Sequence, residues 1–352
     1  MRIGLITDEF LPDSTKAHAK MFYELALKLK SYGHTSIVIP PGKPSQPQNI
    51  EIDFLNGIEV WRSKSGYRKG ENMVKRAINE FLLSFRAWIA IRKKVKIKKL
   101  DLCIIYSPTI FFGILAWKLK LQKTFIYLVL RDMFPQWMID QGLIKKNSLI
   151  AYFFRFFEKV NYKAANVIGL QSKANLDLFK KKFPNFTNVE VLMNWTITDY
   201  IRKDKKGISF RNKFNLNDKI LFLYGGNIGP GQDLKNILRL AKNLKNVIKA
   251  HFLIIGKGYE FEQIKCLISK WHLNNVTILP SVPQKEFESI LAISDVGLFS
   301  LSKEHSSHNF PGKILGYLRA GKPVLGSVNP DNDLKHIINN QISKSCSKRK
   351  FQ

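Results

Sequence analysis

Apolar and polar positions follow a strand–helix–strand order from the first residues of the chain. Residues 2–7 form a short apolar run that predicts a strand, and residues 20–34 carry apolar positions at helical spacing up to Gly33. A second apolar run at 35–40 predicts another strand. Because short connections join both strands to the helix, the segment indicates a βαβ unit, and such units build parallel sheets with helices on both faces.

The alternation continues along the chain and restarts after a polar, basic stretch at residues 203–219. Before that stretch the pattern predicts a helix at 148–165 and strands at 101–107, 124–130, 165–172 and 189–195. After it the pattern predicts helices at 232–246, 260–272, 284–294 and 312–320 and strands at 220–226, 250–258, 276–282, 295–301 and 323–327. We therefore expect an α/β protein of two doubly wound domains that face a central cleft. The predicted bounds are 1–202 and 203–340, followed by an irregular tail at 341–352.

The charge of the chain indicates what kind of partner it has. Lys and Arg number 57 against 27 Asp and Glu, which gives a formal net charge of +30. So large a basic excess indicates an anionic partner, either a membrane surface or nucleic acid. No helix-turn-helix, RRM or KH signature is visible in the sequence, which disfavours nucleic acid.

Basic residues concentrate between Arg62 and Lys99, where 13 Lys and Arg stand against two Glu. Within this stretch, residues 73–94 mix apolar and basic positions, and one helical stripe contains positions 74, 78, 81, 85 and 88. An apolar stripe with basic flanks is typical of a helix that lies on anionic lipid. The alternative is a helix that packs into the core and leaves its basic face in solvent.

Cysteine usage and the apolar runs bear on cellular location. The three cysteines are far apart, odd in number and without the spacing of a zinc site. The first residues lack the apolar stretch of a signal peptide, and the apolar run at 102–117 contains Ser, Pro and Thr, which favours a buried strand and helix. We expect a cytoplasmic protein that does not span the membrane and binds no metal.

Two loops in the second half carry candidate anion-binding groups. The first places Gly225, Gly226, Gly229 and Gly231 just before a helix, where glycines let backbone N–H groups approach a phosphate. Their spacing fits neither the dinucleotide-binding pattern nor the P-loop. The second places Lys313 in the first turn of a helix, where a cation opposes the helix dipole unless an anion binds. Lys313 and the helix N–H groups together predict a cradle for a diphosphate.

In the first half, Arg131 and Asp132 follow the predicted strand at 124–130. They therefore stand at the carboxyl edge of a parallel sheet, where α/β proteins form their binding sites. The alternative for Asp132 is a helix N-cap, which is the commoner role of an aspartate after a strand.

Four segments of the chain resemble a known family, namely DEFLPDSTKAHAKMFYELALKL, LRDMFPQWMIDQGLI, YGGNIGPGQDLKNIL and HNFPGKILGYLRAGKPVLGSVNPDNDL. They are similar to glycosyltransferase family 4, which has the GT-B fold, and the similarity runs from residue 1 to about 340. Within that family they look most like the branch of bacterial N-acetyl-L-fucosaminyl (L-fucosamine) transferases of surface polysaccharide assembly.

The resemblance implies a retaining glycosyltransferase with two Rossmann-like domains, no cofactor and no metal. The second domain would hold a UDP-sugar donor, with N-acetyl-L-fucosamine or a similar N-acetylated 6-deoxyhexosamine as the sugar, and the first would bind the acceptor. The implied acceptor is an undecaprenyl-diphosphate-linked saccharide of O-antigen, that is lipopolysaccharide, or capsule assembly. Such an acceptor implies a peripheral position on the inner face of the cell membrane, against anionic lipid of the inner leaflet.

The resemblance also implies roles for individual residues. Lys313 would stabilise the charge that develops on the leaving UDP, and Asp132 with Arg131 would orient the acceptor or act as a base. The residues that match the donor-site motifs are Gly225, Gly226, Asn227 and Gln232 in the diphosphate loop and His308, Asn309, Phe310, Pro311 and Gly312 beside the phosphate and sugar. The first-loop residues that would touch the acceptor or a phosphate are Asp13, Ser14 and Lys16.

Three departures from the family pattern keep alternatives open. Many relatives carry Arg and Lys where Asn227 and Gln232 stand, and His308 and Gly316 replace two glutamates that lie eight positions apart. The family also continues for several tens of residues past residue 340. The alternatives are a truncated, inactive glycosyltransferase remnant, a basic nucleic-acid-binding protein and a nucleotide-sugar epimerase.

Overall fold

The computed structural model describes residues 1–14, 16–66, 78–107, 109–140, 142, 144–303, 310–330 and 332–339. The chain divides into two compact units, Met1–Met193 and Asn194–Gln352. Each unit is an α/β structure built on a mainly parallel sheet, as the alternation of the sequence predicts. The predicted tail at 341–352 lies outside the described residues.

The boundary between the units lies nine residues before the predicted one, because residues 194–202 pack with the second unit. The Ile201 N–H donates to the Arg319 carbonyl at 3.1 Å, and the Tyr200 hydroxyl donates to the Ala320 carbonyl at 3.1 Å. These bonds attach the segment to a helix of the second unit, and apolar periodicity alone carries no signal of such an attachment.

The first unit contains an eight-stranded sheet among the residues that the structure describes. Its strands are β1 Arg2–Ile6, β2 Thr35–Ile39, β3 Ile50–Leu55, β4 Ile58–Ser63, β5 Leu102–Ser107, β6 Phe125–Leu130, β7 Val167–Leu170 and β8 Val189–Val191. Its helices are α1 Ala17–Ser31, α2 Leu83–Ile97, α3 Gly113–Leu121, α4 Gln136–Asp140, α5 Leu149–Ala164 and α6 Lys173–Lys182. The order is β3-β4-β2-β1-β5-β6-β7-β8, with β3–β4 antiparallel and the other described pairs parallel. The strand order therefore reverses between β1 and β5.

The elements predicted above include neither the hairpin β3–β4 nor the helix α6. The hairpin turns at Asn56 and Gly57, which have φ angles of +52° and +73°, as an Asn-Gly hairpin turn requires. Helix α6 follows Ser172, whose hydroxyl oxygen accepts a hydrogen bond from the Asn175 N–H. The hairpin is signalled by its turn and by the alternation of apolar and polar residues along its strands, and α6 is signalled by its cap residue.

The predicted basic helix at 73–94 begins outside the described residues and continues as α2. One face of α2 packs into the core through Leu83, Ala87 and Ile91. On another face, Phe85 and Ile89 remain 42% and 50% exposed. The helix thus combines a packed face with an exposed apolar one, and its contact with lipid stays a prediction.

Helix α3 packs against both α2 and α5, and all three helices run back from the carboxyl edge of the sheet. Helices α3 and α5 each connect two neighbouring parallel strands, so each begins near the carboxyl ends of those strands. Helix α2 ends near the opposite edge, where the Lys98 carbonyl accepts a hydrogen bond from the Arg2 guanidinium at the start of β1. The first turns of all three helices therefore lie toward the carboxyl edge.

The second unit contains a five-stranded sheet within its described residues, in the order β11-β10-β9-β12-β13, and the described pairs are parallel. Its strands are β9 Ile220–Asn227, β10 Ala250–Lys257, β11 Val276–Pro280, β12 Val296–Ser300 and β13 Val324–Ser327. Its helices are α7 Lys205–Lys213, α8 Leu234–Asn243, α9 Phe261–Lys270, α10 Gln284–Ile293, α11 Lys313–Arg319 and α12 Leu334–Ile337. The order reverses between β9 and β12, and α/β sheets bind ligands at the carboxyl ends beside such a reversal.

A buried tyrosine joins β9 and β12 at the point where they separate. The described pairing of the two strands ends at Tyr224 and Leu298. Just beyond it, the Tyr317 hydroxyl accepts a hydrogen bond from the Gly225 N–H at 3.3 Å and donates one to the Leu298 carbonyl at 2.8 Å. Because Tyr317 lies in α11, these bonds set the position of that helix against both strands.

Replacing Tyr317→Phe should lower the free energy of unfolding of the chain by about 1–3 kcal/mol, since the change leaves buried backbone groups without their partner. Urea denaturation of the intact protein measures this loss. Tyr259→Phe is the matched control, because Tyr259 in the same unit is 96% exposed. Equal stability of the Tyr317 variant and the wild type would contradict the assigned role.

Candidate functional site

Lys313, Gln232 and Gly226, all predicted donor-site residues, meet at the carboxyl end of β9. The Lys313 Nζ donates to the Gln232 side-chain oxygen at 3.1 Å and lies 3.7 Å from the centre of the Tyr224 ring. A Cβ placed on Gly226 would stand 3.6 Å from the same nitrogen. The amine, the amide and the glycine backbone therefore converge beside the reversal of strand order in the second unit.

Two glycines make this close approach of the backbone possible. Gly226 has a φ of +137°, a conformation that L side chains rarely adopt. On the neighbouring strand, a Cβ at Gly256 would overlap the Gly226 carbonyl oxygen. The Tyr224 hydroxyl donates to the Asn227 carbonyl at 2.5 Å and so closes the turn that follows β9.

The amine of Lys313 is poorly solvated in this position. Burial lowers the pKa of Lys313 to about 7 from its ordinary value of 10.5. The Gln232 oxygen and the face of the Tyr224 ring attract a cation, but neither carries a full negative charge. A bound anion would supply that charge and favour the protonated amine, so this group is suited to a phosphate.

The segment that leads into α11 carries the remaining predicted donor residues. Phe310 is buried in an apolar cluster, and its carbonyl accepts a hydrogen bond from the Asn194 side chain at 3.0 Å. Pro311 and Gly312 connect it directly to Lys313. Phe310 therefore anchors the start of α11 to this apolar cluster.

Other predicted donor residues differ in their surroundings. Asn227 is exposed at the end of β9, whereas a Cβ at Gly225 would overlap the Phe287 ring, so Gly225 serves the packing of the strand. His308 and Asn309 lie outside the described residues, and their roles stay predictions.

Arg131 and Asp132 leave the carboxyl end of β6 in the first unit. Arg131 is 9% exposed, its guanidinium donates to the Leu192 carbonyl at 2.5 Å, and burial lowers its pKa to about 10. Arg131 thus ties the end of β6 to the chain that follows β8 and acts as a positioning residue. Asp132 is half-buried and close enough to Tyr106 to influence its titration: burial first, and then the charges of Asp132 and Asp8, raise the pKa of Tyr106.

Asp8, His18 and Tyr106 form a polar cluster that the sequence reasoning missed. The His18 Nε2 lies 3.0 Å from an Asp8 carboxylate oxygen, and the His18 ring stacks on the Tyr106 ring with centroids 4.5 Å apart. Asp8 follows β1 and Tyr106 belongs to β5, so the cluster stands at the reversal of strand order in the first unit. The signal in the sequence is the position of Asp8 and Tyr106 at strand ends, but only the strand order shows that the two ends are neighbours.

The predicted first-loop residues fall into two separate groups. The Ser14 hydroxyl donates to a Glu9 carboxylate oxygen at 2.7 Å, and the Lys16 Nζ lies 3.0 Å from the other oxygen of Glu9. Asp13 instead lies 3.6 Å from the guanidinium of Arg62 on β4. Glu9 therefore joins Ser14 and Lys16, whereas Asp13 is held by the hairpin.

Comparison with known proteins identifies what the second unit resembles in sequence. Residues 206–349 match the family described as Glycosyl transferases group 1. The chain is 26% identical over 215 residues to the probable glycosyltransferase WbjE of Pseudomonas aeruginosa. The aligned segment covers 60% of this chain and 53% of WbjE. The chain is 24% identical over 280 residues to the putative colanic acid biosynthesis glycosyl transferase WcaI of Escherichia coli K12. That aligned segment covers 74% of this chain and 65% of WcaI. The chain spans between half and two thirds of the length of these curated relatives.

Solved structures with a similar fold cover almost the whole chain. For trehalose-6-phosphate synthase OtsA, the match covers 99% of this chain and 93% of OtsA, with a TM-score of 0.70 at 12% identity. For WaaG, a glycosyltransferase involved in lipopolysaccharide biosynthesis, the match covers 98% of this chain and 90% of WaaG, with a TM-score of 0.64 at 12% identity. For Anabaena HepE, crystallised with UDP and glucose, the match covers 98% of this chain and 90% of HepE, with a TM-score of 0.64 at 14% identity. The predicted GT-B fold of two Rossmann-like domains is thereby confirmed.

These comparisons confirm the resemblance to glycosyltransferases and leave open which branch of them the chain resembles most. Residues 206–349 resemble the group 1 glycosyltransferases, and the match to the fucosamine transferase branch stays a prediction. Among the described residues, the helices are all too short or too polar to cross a membrane.

Lys313 should lose its proton near pH 7 in the ligand-free protein, because burial disfavours its charged form. Methylation of the lysines with a carbon-13 label and NMR titration of the methyl signals measure this directly. One signal should move with a midpoint of about 7 and be missing from Lys313→Arg, while exposed lysines titrate near their ordinary 10.5. If every lysine signal titrates in the ordinary range, the amine is solvated and the description of the site is wrong.

Proposed function

We propose that the chain is a retaining glycosyltransferase that moves a sugar from a UDP-sugar onto a lipid-linked saccharide in O-antigen or capsule assembly. The observation that carries the proposal is the Lys313 amine held against Gly226 and Gln232 at the carboxyl end of β9. This group lies in the part of the chain that matches the group 1 glycosyltransferase family.

The donor diphosphate would bind at the Lys313 amine and the Gly226 backbone. Gly226 has no side chain to block a phosphate, and the amine stands over the same strand end. Protonated Lys313 would neutralise charge on the leaving UDP as the bond to the sugar breaks, and stabilisation of such charge is commonly the largest part of a rate enhancement. HepE, which shares the fold, holds UDP-glucose in a crystal structure, which supports a nucleotide-sugar as the donor.

We propose an N-acetylated 6-deoxyhexosamine, such as N-acetyl-L-fucosamine, as the sugar. The support is the resemblance of four sequence segments to the transferases that use this sugar. The name of WcaI, a putative colanic acid biosynthesis glycosyl transferase, and the role of WaaG in lipopolysaccharide biosynthesis support polysaccharide assembly more broadly.

Asp132 is the group that we assign to the acceptor. It stands at the carboxyl end of β6, next to Arg131, whose bond to the Leu192 carbonyl stabilises this strand end. A half-buried carboxylate at a sheet edge is suited to accept a hydrogen bond from an acceptor hydroxyl and to orient it. The acceptor would be linked to undecaprenyl diphosphate, and the protein would work at the inner face of the cell membrane.

UDP should bind in the micromolar range, and Lys313→Met should weaken this binding about tenfold to a hundredfold, because a charged hydrogen bond to phosphate is lost. Isothermal titration calorimetry measures the affinity, with GDP and NAD as nucleotide controls. Wild-type affinity should fall as pH rises through about 7, because a proton must then be taken up by Lys313, and the variant should lack this dependence.

Lys335→Met is the matched control for this titration, because Lys335 is an exposed lysine of the same unit. It should bind UDP as the wild type does. Absence of UDP binding by folded protein would favour an inactive remnant, and equal affinity of Lys313→Met and the wild type would refute the role of Lys313.

Asp132→Asn should lower the rate of sugar transfer about a hundredfold or more, as expected when a group that accepts or orients a proton is removed, and should leave UDP affinity unchanged. Transfer of labelled sugar to an undecaprenyl-diphosphate-linked saccharide measures the rate. Asp177→Asn is the control, since Asp177 is 59% exposed and pairs with Lys173 on α6. A variant that transfers sugar at the wild-type rate would remove Asp132 from the proposal.

A further inference from the structure

The helices α5 and α2 present large apolar side chains to solvent on one continuous surface. On α5, Leu149, Tyr152 and Phe156 recur at spacings of three and four residues and are 88%, 55% and 61% exposed. The members of this surface, which we call the aromatic face, are Leu149, Ile150, Tyr152, Phe153 and Phe156 of α5 and Phe85 and Ile89 of α2. Contiguous exposed apolar groups rimmed by polar residues mark protein or membrane interaction sites.

Ring contacts join the two helices within this face. Phe81, which precedes α2, lies 5.9 Å from Phe85 and 6.1 Å from Phe153 between ring centroids. Phe153 in turn lies 4.9 Å from Phe157, which is buried. The exposed rings therefore rest on a layer of buried ones and are held as a preformed surface.

The aromatic face is connected to the loop that carries Asp132. The ring of Phe134, two residues after Asp132, packs edge-on against Phe154 at 4.9 Å, and Phe154 contacts Phe153 at 5.6 Å. The first turns of α2 and α5 also lie toward the carboxyl edge of the sheet, where Asp132 stands. The face and the candidate acceptor residue therefore share one end of the first unit.

Charge around the aromatic face is positive. Its own helices and the loop before α5 supply half-buried or exposed cations, namely Arg86, Arg92, Lys93, Lys145, Lys146, Arg155 and Lys159. Helix α2 contains no acidic residue, and the half-buried Glu80 precedes it next to Phe81. Glu158, the single acid within α5, is buried and accepts a hydrogen bond from the Tyr162 hydroxyl. Apolar rings bordered by Lys and Arg suit the boundary of an anionic bilayer, whereas protein interfaces are depleted in Lys.

We infer that the aromatic face docks onto an anionic phospholipid leaflet and so brings the Asp132 loop to the membrane surface. The inference deepens the proposed function and rests on it, since a lipid-linked acceptor must be reached at that surface. It moves the main lipid contact from the predicted helix at 73–94 to α5, with α2 at its border.

Cosedimentation of the full chain with vesicles tests the inference without donor or acceptor. The protein should bind vesicles of equal parts phosphatidylglycerol and phosphatidylcholine, bind pure phosphatidylcholine weakly, and be released by salt. Leu149→Glu and Phe156→Glu should each weaken binding about tenfold or more, because a carboxylate is placed in the apolar layer. Ile248→Glu is the matched control, since Ile248 is 82% exposed in the second unit, and it should bind as the wild type does.

The UDP titration, repeated on the same variants, separates the inference from the proposed function. Unchanged UDP affinity with lost vesicle binding supports the aromatic face as the docking surface and shows that the variants are folded. Vesicle binding by Leu149→Glu and Phe156→Glu at the wild-type level overturns the inference. A wild-type dimer, detected by sedimentation velocity and dissociated by these substitutions, also overturns it, because the face would then be a dimer interface. Vesicle binding without any UDP binding counts against the proposed function alone.

Discussion

The separation of β9 from β12 beyond Tyr224 is the constraint on which the candidate donor site depends. Two parallel strands that continued to pair would leave no room for a ligand between their ends. The Tyr317 hydroxyl takes up the hydrogen-bonding groups that this separation frees. Since Tyr317 and Lys313 lie one turn apart on α11, the same bonds bring the Lys313 amine to the strand end.

The Lys313 site shows how the fold creates chemistry from an ordinary side chain. Lysine titrates far above neutrality in water, but burial against the Tyr224 ring brings its pKa to about 7. A group in this state responds strongly to a negative ligand, because the ligand changes both the proton occupancy and the interaction energy. The burial that lowers the stability of the charged amine in the free protein is what couples it to an anion.

The architecture could be predicted from the sequence, because βαβ alternation dictates parallel sheets, and Lys313 could be predicted from its place in a helix first turn. The cluster of Asp8, His18 and Tyr106 could not, since these residues are up to 98 positions apart in sequence and meet only through the order of β1 and β5. The hairpin β3–β4 could also have been predicted, since its Asn-Gly turn joins two runs in which apolar and polar residues alternate. The lowered pKa of Lys313 depends on packing that no local pattern encodes.

The hairpin β3–β4 also determines the shape of the first loop. Arg62 on β4 holds Asp53 of its own hairpin at 2.7 Å, donates to the Leu11 carbonyl at 2.7 Å and lies 3.6 Å from Asp13. The loop is thus braced by the hairpin as well as by the contact of Asp8 with His18 of α1. Changes at the exposed positions of β3 are therefore a route by which the loop can be reshaped in evolution while the buried residues of β4, such as Trp61, stay in the core.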